Sequence, residues 1–558
     1  MPIILSSDRT EITTFAGKQS CYPVYMTIGN IPKHLRRKPS SRAQRLLAYL
    51  PTGKIEGTDF SDAILRKLRA QLFHTCMETV CAPMFGPAAD GMDFTDSAGT
   101  VYRFHTVLAA YVADYPEQCL VTCVRYGRAC PVCDVLVDEF GDDVCGETRQ
   151  QGDTLLTIRT ASALPSKEGK AMLTAAGLND RRNPFWAHWP HANIHAAMSS
   201  DVLHQLIQGV GKHLVEWMLA LVPDECELDA RFQRLPYATG VRHFRHGISK
   251  LSNVTGSEHK AIYAQLLACI QGIVPINAIQ AATALLDFIY IAQFECHSET
   301  TLTSLTIALS NFHEYLPVFL RPGVRSGACS CTSELRQLIN PADFKLPKLH
   351  AMQHYVSSIR RFGTVDNYNT EATERLHIDL AKNAFRATNK RDYGTQMCRW
   401  LRRREAVLRF HSYLSWIRGE PLEPQARHET HASIAHPPVI VAKRPHHTHV
   451  SLEQLRVEYK ATHFVRAMDV FLRRWHQLPH GPGWDTALDT RRTSALRTIS
   501  TVRVWNHVKF LTPNVETVAS TDSRSTAYAS AARGRFDPVL VRVTGEDIVG
   551  VGGLEGTP

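Results

Sequence analysis

The chain has 558 residues, of which 44% are hydrophobic and 21% are charged, a composition typical of globular proteins and a length that predicts two to four domains or one core with large insertions. Its formal charge of +10, with 27 His in addition, favours an anionic partner, and nucleic acid comes first. No run of eighteen apolar residues occurs, so we expect no membrane span, and Met1–Leu5 lack the basic region and cleavage site of a signal peptide.

Hydrophobic patterning predicts strands near the beginning of the chain. The candidate strands are Pro2–Leu5, Glu11–Phe15, Tyr22–Ile28, Thr100–Phe104, Val107–Val112 and Leu120–Val124. The basic stretch 32–50 is expected to be a loop that leads into a helix from Ala43, and periodicity predicts a further helix over 60–82.

A long helical block follows. Apolar residues at spacings of three and four predict helices over Ser199–Leu221, Ser257–Gln271, Pro275–Ala292, Thr300–Leu316 and most of 340–415, with a break near Gly363. A His- and Pro-rich linker, a helix over 451–475 and two β-like stretches, Thr501–Phe510 and Val539–Val543, complete the chain.

This order of elements predicts an α/β protein whose RNase H-like mixed sheet is interrupted by a large all-α insertion, with a small C-terminal region that contains β-structure. The predicted divisions are 1–150 for the first part of the core, 151–345 for the insertion, 346–416 for the last part of the core, 417–450 for the linker and 451–558 for a C-terminal helix with a β-rich tail.

Acidic residues stand where such a fold would hold metal ions. Asp8 follows the first apolar run, Asp114 follows a similar run, and Glu371 and Glu374 share a face of a later helix. Carboxylates of this kind can hold two Mg²⁺ or Mn²⁺ ions for phosphodiester chemistry. Each acid taken alone is equally explained as a turn residue, so the hypothesis depends on the set, and either Glu could be the third ligand.

Two cysteines and two histidines form a second candidate site. Cys130 and Cys133 make a C-x-x-C, and His350 and His354 lie one helical turn apart. Together they offer a complete tetrahedral zinc set, which would tie the loop after Asp114 to the helix before the glutamates. Cys119, Cys123 and Cys145 are near enough along the chain to be alternative ligands, and buried thiols without metal remain the alternative interpretation.

Further candidates are polar or basic. Asp201 and His204 share a helix face and could contact DNA or the active site, although a helix-capping acid beside a packed histidine explains them equally well. Arg375 could contact the scissile phosphate or pair with Glu371. The remaining candidate contacts to the DNA backbone are Lys33, Arg36, Arg37, Lys38, Arg402 and Arg403.

Several stretches together resemble one family, the transposases of Plavaka elements, which are cut-and-paste DNA transposons of fungi. The matching stretches are Pro2–Thr10, Tyr22–Pro32, Asp114–Gln118, Asp201–Leu206, Lys212–Leu214 and Asn369–His377. The family is similar to the CACTA-like transposases, and the resemblance implies an RNase H-like DDE core with a helical insertion.

The resemblance also implies residue roles and partners. It implies catalysis by Asp8, Asp114 and Glu374, because the group's spacing from the paired His favours Glu374 over Glu371. It implies a structural zinc bound by Cys130, Cys133, His350 and His354. The expected activity is metal-dependent DNA cleavage and strand transfer at transposon terminal repeats, directed at target DNA in the nucleus, by a homodimer if the analogy with related transposases holds.

One departure from the family pattern adds an alternative. Met1 stands only seven residues before Asp8, whereas transposases of the group carry an N-terminal region before the core. We therefore expect an N-terminally truncated copy. A catalytically inactive or domesticated DNA-binding derivative is the alternative, and a helical scaffold with a structural zinc and incidental acids is the third hypothesis.

Overall fold

The computed structural model describes residues 1–13, 19–53, 55, 60–96, 98–236, 242–320 and 344–419, and beyond them 439–441, 447–457, 464, 468 and the strands between 501 and 551. The chain divides into two compact units, residues 1–236 with 242–425 and residues 237–241 with 426–558. Helices and a mixed sheet occur together in the first unit, which confirms the predicted α/β class.

Five strands form the sheet of the first unit, in the order β2-β3-β1-β7, with β4 also paired to β3. The strands are β1 (Pro2–Ser7), β2 (Thr10–Glu11), β3 (Ser20–Ile28), β4 (Arg45–Leu50) and β7 (Val107–Val112), while β5 (Met92–Thr95) and β6 (Val101–Phe104) form a separate hairpin. Strand β1 is antiparallel to β3 but parallel to β7, with Leu5 opposite Met26 on one side and Tyr111 on the other. The two parallel strands therefore end at the same edge of the sheet.

One hydrophobic cluster packs against a face of this sheet, and a smaller one joins Cys21 of β3 to Ala384 and Phe385. Ile3, Leu5 and Val24 are buried in one cluster with Phe73 and Met77 of the long helix α2 (Asp62–Ala89). Trp186 and Trp189 belong to the same cluster, and both are fully buried core residues. Removing these aromatic surfaces from water stabilises the packing of the sheet against this cluster.

The remaining helices of the first unit lie mostly between β7 and the end of the unit. Apart from short 3-10 helices they are α1 (Lys33–Arg36), α3 (Tyr115–Val121), α4 (Gln151–Ala163), α5 (Ser166–Ala175), α6 (Ile194–Ala197), the long π-helix Val202–Val210, α7 (Gly211–Leu221), α8 (Glu225–Arg234), α9 (Gly256–Ile270), α10 (Ile276–Ala292), α11 (Glu299–Tyr315), α12 (Pro347–His350), α13 (Tyr355–Phe362), α14 (Thr370–His377), a short π-helix Ile378–Lys382, α15 (Asn383–Arg386) and α16 (Tyr393–Ile417). The predicted helices around 199–221, 257–271, 275–292 and 300–316 are confirmed within a few residues, as is the break at Gly363.

Two predicted elements are wrong. The helix expected from Ala43 is strand β4, because Arg45–Leu50 pairs with the otherwise open side of β3, and this pairing outweighs a weak local preference. Of the strand expected at Leu120–Val124, Leu120 and Val121 are the end of α3, residues 122 and 123 form a turn, and Val124 makes an isolated β-bridge with Leu178. Asp114, two residues after β7, caps that helix, and Pro116 occupies its first turn, so the residues that follow continue a helix.

The second unit is described mainly through strands. They are β8 (Val439–Val441), β9 (His447–Ser451), β10 (Thr501–Val504), β11 (His507–Leu511), β12 (Glu516–Asp522), β13 (Arg535–Phe536), β14 (Val539–Thr544) and β15 (Asp547–Val551), with one short helix, α17 (Leu452–Val457). The β-like stretches expected near 501–510 and 539–543 are confirmed. Most of the predicted linker and most of the helix expected over 451–475 lie outside the described residues. Among the helices that are described in either unit, none combines the length and the apolar character needed to cross a membrane.

Candidate active site and metal centre

Asp8 and Asp114 lie at the common edge where β1 and β7 end. Asp8 comes directly after β1, and Asp114 comes two residues after β7, where it caps α3 by accepting a hydrogen bond of 3.0 Å from the backbone N–H of Glu117. Parallel pairing sets Ser6 opposite Val112, so the register of the sheet brings the two carboxylates together. Burial raises the pKa of the Asp114 carboxyl above its ordinary value.

Helix α14 brings a third carboxylate to the same edge. The helix starts at Thr370, capped by Asn369, and presents Glu374 and His377 towards Asp8. His377 Nδ1 lies 3.9 Å from Asp8 Oδ2. Burial first, and then the negative charges of Asp114 and Glu374, raise the pKa of Asp8 to about 6. Three carboxylates that repel one another at one spot create a demand for a cation, which is the electrostatic setting of a metal site.

Glu371 is directed elsewhere. Its carboxylate forms an ion pair with Lys260 of α9, at 2.6 Å between Lys260 Nζ and Glu371 Oε1. Glu374, three residues later, contacts His204 Nε2 at 3.1 Å instead. The two glutamates therefore have different partners, although both start from the first turns of α14.

Asp201 and His204 lie beside the three acids. His204 Nδ1 is 2.7 Å from Asp201 Oδ2, and the same imidazole contacts Glu374 through Nε2. Burial lowers the pKa of His204, but hydrogen bonds to Asp201 and Glu374 outweigh it and raise the pKa to about 10. The histidine therefore stands between two carboxylates as a donor to both.

Glu117 is a further acid at this edge that the sequence reasoning did not single out. Its carboxylate accepts hydrogen bonds from the hydroxyls of Ser7 and Tyr22, and Ser7 also contacts the Tyr111 hydroxyl at 2.6 Å. Burial raises the pKa of Glu117 to about 8, even though the hydrogen bonds lower it. The only signal in the sequence was an acid three residues after Asp114, in the first turn of a Pro-containing helix.

The four predicted zinc ligands lie together. The candidate ligand atoms of Cys130, Cys133, His350 and His354 are all within 4.8 Å of one another, and all four residues are buried. Cys130 Sγ is 3.3 Å from His354 Nε2, and Cys133 Sγ is 3.1 Å from His350 Nε2. Neighbouring ligand atoms of a tetrahedral zinc lie about 3.5 Å apart, so this cluster is able to bind zinc.

Surrounding residues hold the C-x-x-C loop in shape. Arg149 Nε donates to the carbonyl oxygens of Cys130 at 3.1 Å and Cys133 at 2.6 Å. His195 Nδ1 lies 2.7 Å from the carbonyl oxygen of Pro131. Cys145, the nearest of the alternative ligands, contacts His354 Nδ1 at 3.8 Å. Because Nε2 of His354 faces the cluster, Cys145 approaches the opposite side of that ring.

The other alternative cysteines belong to the core. Cys119 and Cys123 are buried in the cluster that packs on the sheet, and Cys123 Sγ contacts His74 Nε2 at 3.6 Å. Burial raises the pKa of both thiols to about 12, which suits neutral core residues.

Several of the predicted DNA-binding residues contact the protein itself. Lys33 and Arg37 pair with Asp366 at 3.0 and 3.1 Å, and the buried Arg36 donates to Asn367 Oδ1 at 2.5 Å. These contacts fasten the segment after β3 to the turn before α14.

Other basic residues are exposed. Lys38 is exposed, and Arg375 pairs with Asp379 at 3.4 Å. Arg402 and Arg403 are exposed on α16, where they line one groove with Arg399 and Arg409. This helix therefore presents a basic surface to solvent.

Two strand ends of a mixed sheet and one helix together bring three carboxylates to one edge. Carboxylates grouped in this way are the metal ligands of metal-dependent phosphoryl-transfer enzymes. The family model described as Plavaka transposase matches residues 1–218 of this chain, which confirms the resemblance to Plavaka-type transposases. The matched part contains Asp8, Asp114, Cys130 and Cys133, while α14 follows it. No curated protein matches the chain.

Proposed function

We propose that this protein is a DDE-type DNA transposase in which Asp8, Asp114 and Glu374 hold the catalytic metal ions. The observation that carries the proposal is the convergence of these acids, from three distant parts of the chain, on one edge of the sheet. Burial, and after it the negative charges of Asp114 and Glu374, raise the pKa of Asp8, and carboxylate oxygens select Mg²⁺ or Mn²⁺. This convergence argues against a scaffold with incidental acids.

The fold supports the same proposal. Strand β1 has an antiparallel neighbour on one side and a parallel neighbour on the other, the strand arrangement expected at the centre of an RNase H-like sheet. In this fold the helices between Asp114 and Glu374 form the proposed insertion. The proposed domain boundaries are residues 150, 345 and 416.

Two divalent ions, when bound, activate a water or a 3′-hydroxyl and stabilise the leaving oxygen. The residues of the chain would bind these ions and fix their positions. Asp8 and Asp114 are short side chains on rigid backbone, and Glu374 approaches them from α14. The proposed zinc cluster connects the loop after α3 with the helices that lead to α14, and so holds the third acid near the first two.

Lys38, Arg402 and Arg403 are the proposed contacts to the DNA backbone. Their charges face solvent, whereas those of Lys33 and Arg37 are paired. The proposed substrates are transposon terminal repeats and target DNA in the nucleus, and a homodimer would bring two ends together.

Nicking of DNA tests the proposal. The substrate is a supercoiled plasmid that carries the gene with its flanking sequence, incubated with the full chain and Mg²⁺. Asp8→Asn and Glu374→Gln are expected to reduce nicking by roughly 100-fold or more, because metal ions contribute several kcal/mol to the transition state. Glu371→Gln is the matched control, since Glu371 and Glu374 are 39% and 41% exposed on the same helix.

The outcomes separate the hypotheses. Nicking that survives both Asp8→Asn and Glu374→Gln contradicts the proposed site. Loss of nicking in Glu371→Gln but not in Glu374→Gln would exchange the roles of the two glutamates. A wild-type chain that binds this DNA without nicking it, at any Mg²⁺ or Mn²⁺ concentration, would be an inactive derivative.

A further inference from the structure

We propose that His204, held in place by Asp201, is a positioning residue that orients the Glu374 carboxylate for metal binding. This inference rests on the proposed function and adds to it a residue pair that contacts the acid but does not bind the metal. The contacts run from Asp201 Oδ2 to His204 Nδ1, at 2.7 Å, and from His204 Nε2 to Glu374 Oε1, at 3.1 Å.

Asp201 is a fixed anchor for this arrangement. Its side chain is 1% exposed and accepts four hydrogen bonds. The donors are the backbone N–H groups of Leu203 and His204, the His204 ring and the Thr370 hydroxyl. Thr370 is the first residue of α14. Asp201 therefore connects the π-helix directly to the helix that carries Glu374.

The backbone around His204 is also unusual. His204 lies in a π-helix, a rare conformation that recurs at functional sites, and this π-helix ends in a kink at Gly209. A Cβ atom at Gly209 would lie 2.6 Å from the carbonyl oxygen of His204, so glycine permits the close approach of the backbone at this kink.

Glu374 is the acid that needs such support. Asp8 and Asp114 have two side-chain torsions each and follow strands, whereas Glu374 has three and lies on a helix. Immobilising a free glutamate side chain costs about 1.5–2 kcal/mol of conformational entropy. A donor already fixed by Asp201 holds one oxygen of the carboxylate in advance and lowers that cost when a metal binds.

Two isosteric replacements separate the contacts of the imidazole. His204→Asn keeps an amide near the position of Nδ1, beside Asp201, but does not reach Glu374. His204→Gln places its amide nitrogen near the position of Nε2 and keeps the donor to Glu374. The matched control is His213→Asn, because His213 is 32% exposed, similar to the 29% of His204, and likewise pairs with a carboxylate three residues away, that of Glu216.

The measurement is Mn²⁺ affinity of the zinc-loaded full chain without DNA, by calorimetry, together with the thermal midpoint. His204→Asn is expected to weaken Mn²⁺ binding by about 10–100-fold, the usual effect of removing a hydrogen bond to a metal ligand. His204→Gln is expected to recover most of this loss, and His213→Asn to bind as the wild type does. A purely structural role would lower the midpoint of both His204 variants without this difference in affinity.

Mn²⁺ affinity of His204→Asn equal to that of the wild type would overturn the inference. If Glu374→Gln weakens Mn²⁺ binding while His204→Asn does not, only the positioning role fails; if neither variant weakens it, the proposed function fails as well. Should His204→Asn not fold, Thr370→Val removes one donor to Asp201 at nearly constant volume. Mn²⁺ affinity is then expected to fall, and unchanged affinity would contradict the role of Asp201.

Discussion

Replacing Asp8 by asparagine is expected to stabilise the protein at neutral pH when no divalent ion occupies the acidic site. Burial and the charges of Asp114 and Glu374 raise the pKa of Asp8 from 3.8 to about 6. The folded state thus keeps a proton that the unfolded chain releases. The stability contributed by this group is complete below pH 3.8 and is lost as the pH rises through about 6. Asparagine is neutral at every pH, so the variant does not lose this stability as the pH rises.

The size of the gain follows from the shift in pKa. A shift of about two units corresponds to about 3 kcal/mol at 1.36 kcal/mol per unit. The Asp8 side chain is 42% exposed, and solvent screening reduces the charge terms, so a gain of about 1 kcal/mol is the realistic expectation. In a protein of this size that gain corresponds to an increase of roughly 1–3 °C in the thermal midpoint.

Thermal melts in metal-depleted buffer that leaves zinc bound provide the assay. The advantage of Asp8→Asn over the wild type should grow between about pH 4 and about pH 6 and level off above that range, because the two pKa values of Asp8 are 3.8 and about 6. Added Mn²⁺ should raise the midpoint of the wild type and not that of the variant. Asp138→Asn is the control, because this acid is 82% exposed and its replacement is expected to leave the thermal midpoint unchanged. A variant no more stable than the wild type at pH 7.5, or an advantage that is the same at pH 5, would refute the reasoning.

Two other predictions concern the neighbouring clusters. Cys133→Ser should reduce the zinc content of the purified chain and lower its thermal midpoint, whereas Cys145→Ser should retain the zinc; elemental analysis distinguishes them, and equal zinc in both variants would contradict the ligand set. Glu117→Gln should be tolerated at neutral pH, because the pKa of Glu117 is about 8. Glu117→Ala should lower the free energy of unfolding by about 1–3 kcal/mol, because the hydroxyls of Ser7 and Tyr22 lose their acceptor; an alanine variant as stable as the glutamine variant in urea melts would contradict this.

Local patterns were sufficient for the first strand and most helices, because apolar spacing reports which face of an element is buried. They were insufficient at Arg45–Leu50, which forms a strand because it pairs with the open side of β3. They were also insufficient at Leu120–Val124, where a run of apolar residues fits a helix as well as a strand. In the second case the helix start at Asp114 and Pro116 was visible in the sequence, but its cap contact is a three-dimensional observation.

The sites show the same division. Residue types and spacing indicated three acids and a Cys–His set, because metal chemistry restricts the ligands that a protein can use. Spacing along one helix could not separate Glu371 from Glu374, since residues three apart share a face. The packing of α14 between Lys260 on one side and His204 on the other gives the two glutamates different partners.

From the sequence alone, the order of the elements, the resemblance to Plavaka-type transposases and the identity of the candidate ligands were determined, because each depends on residues close together along the chain or on their chemical type. The tertiary structure decided which side chains meet. Parallel pairing of β1 with β7, the position of α14 and the links from Ser7 to Glu117 and from Asp201 to Glu374 join residues more than a hundred positions apart, and such contacts arise only when the whole core packs.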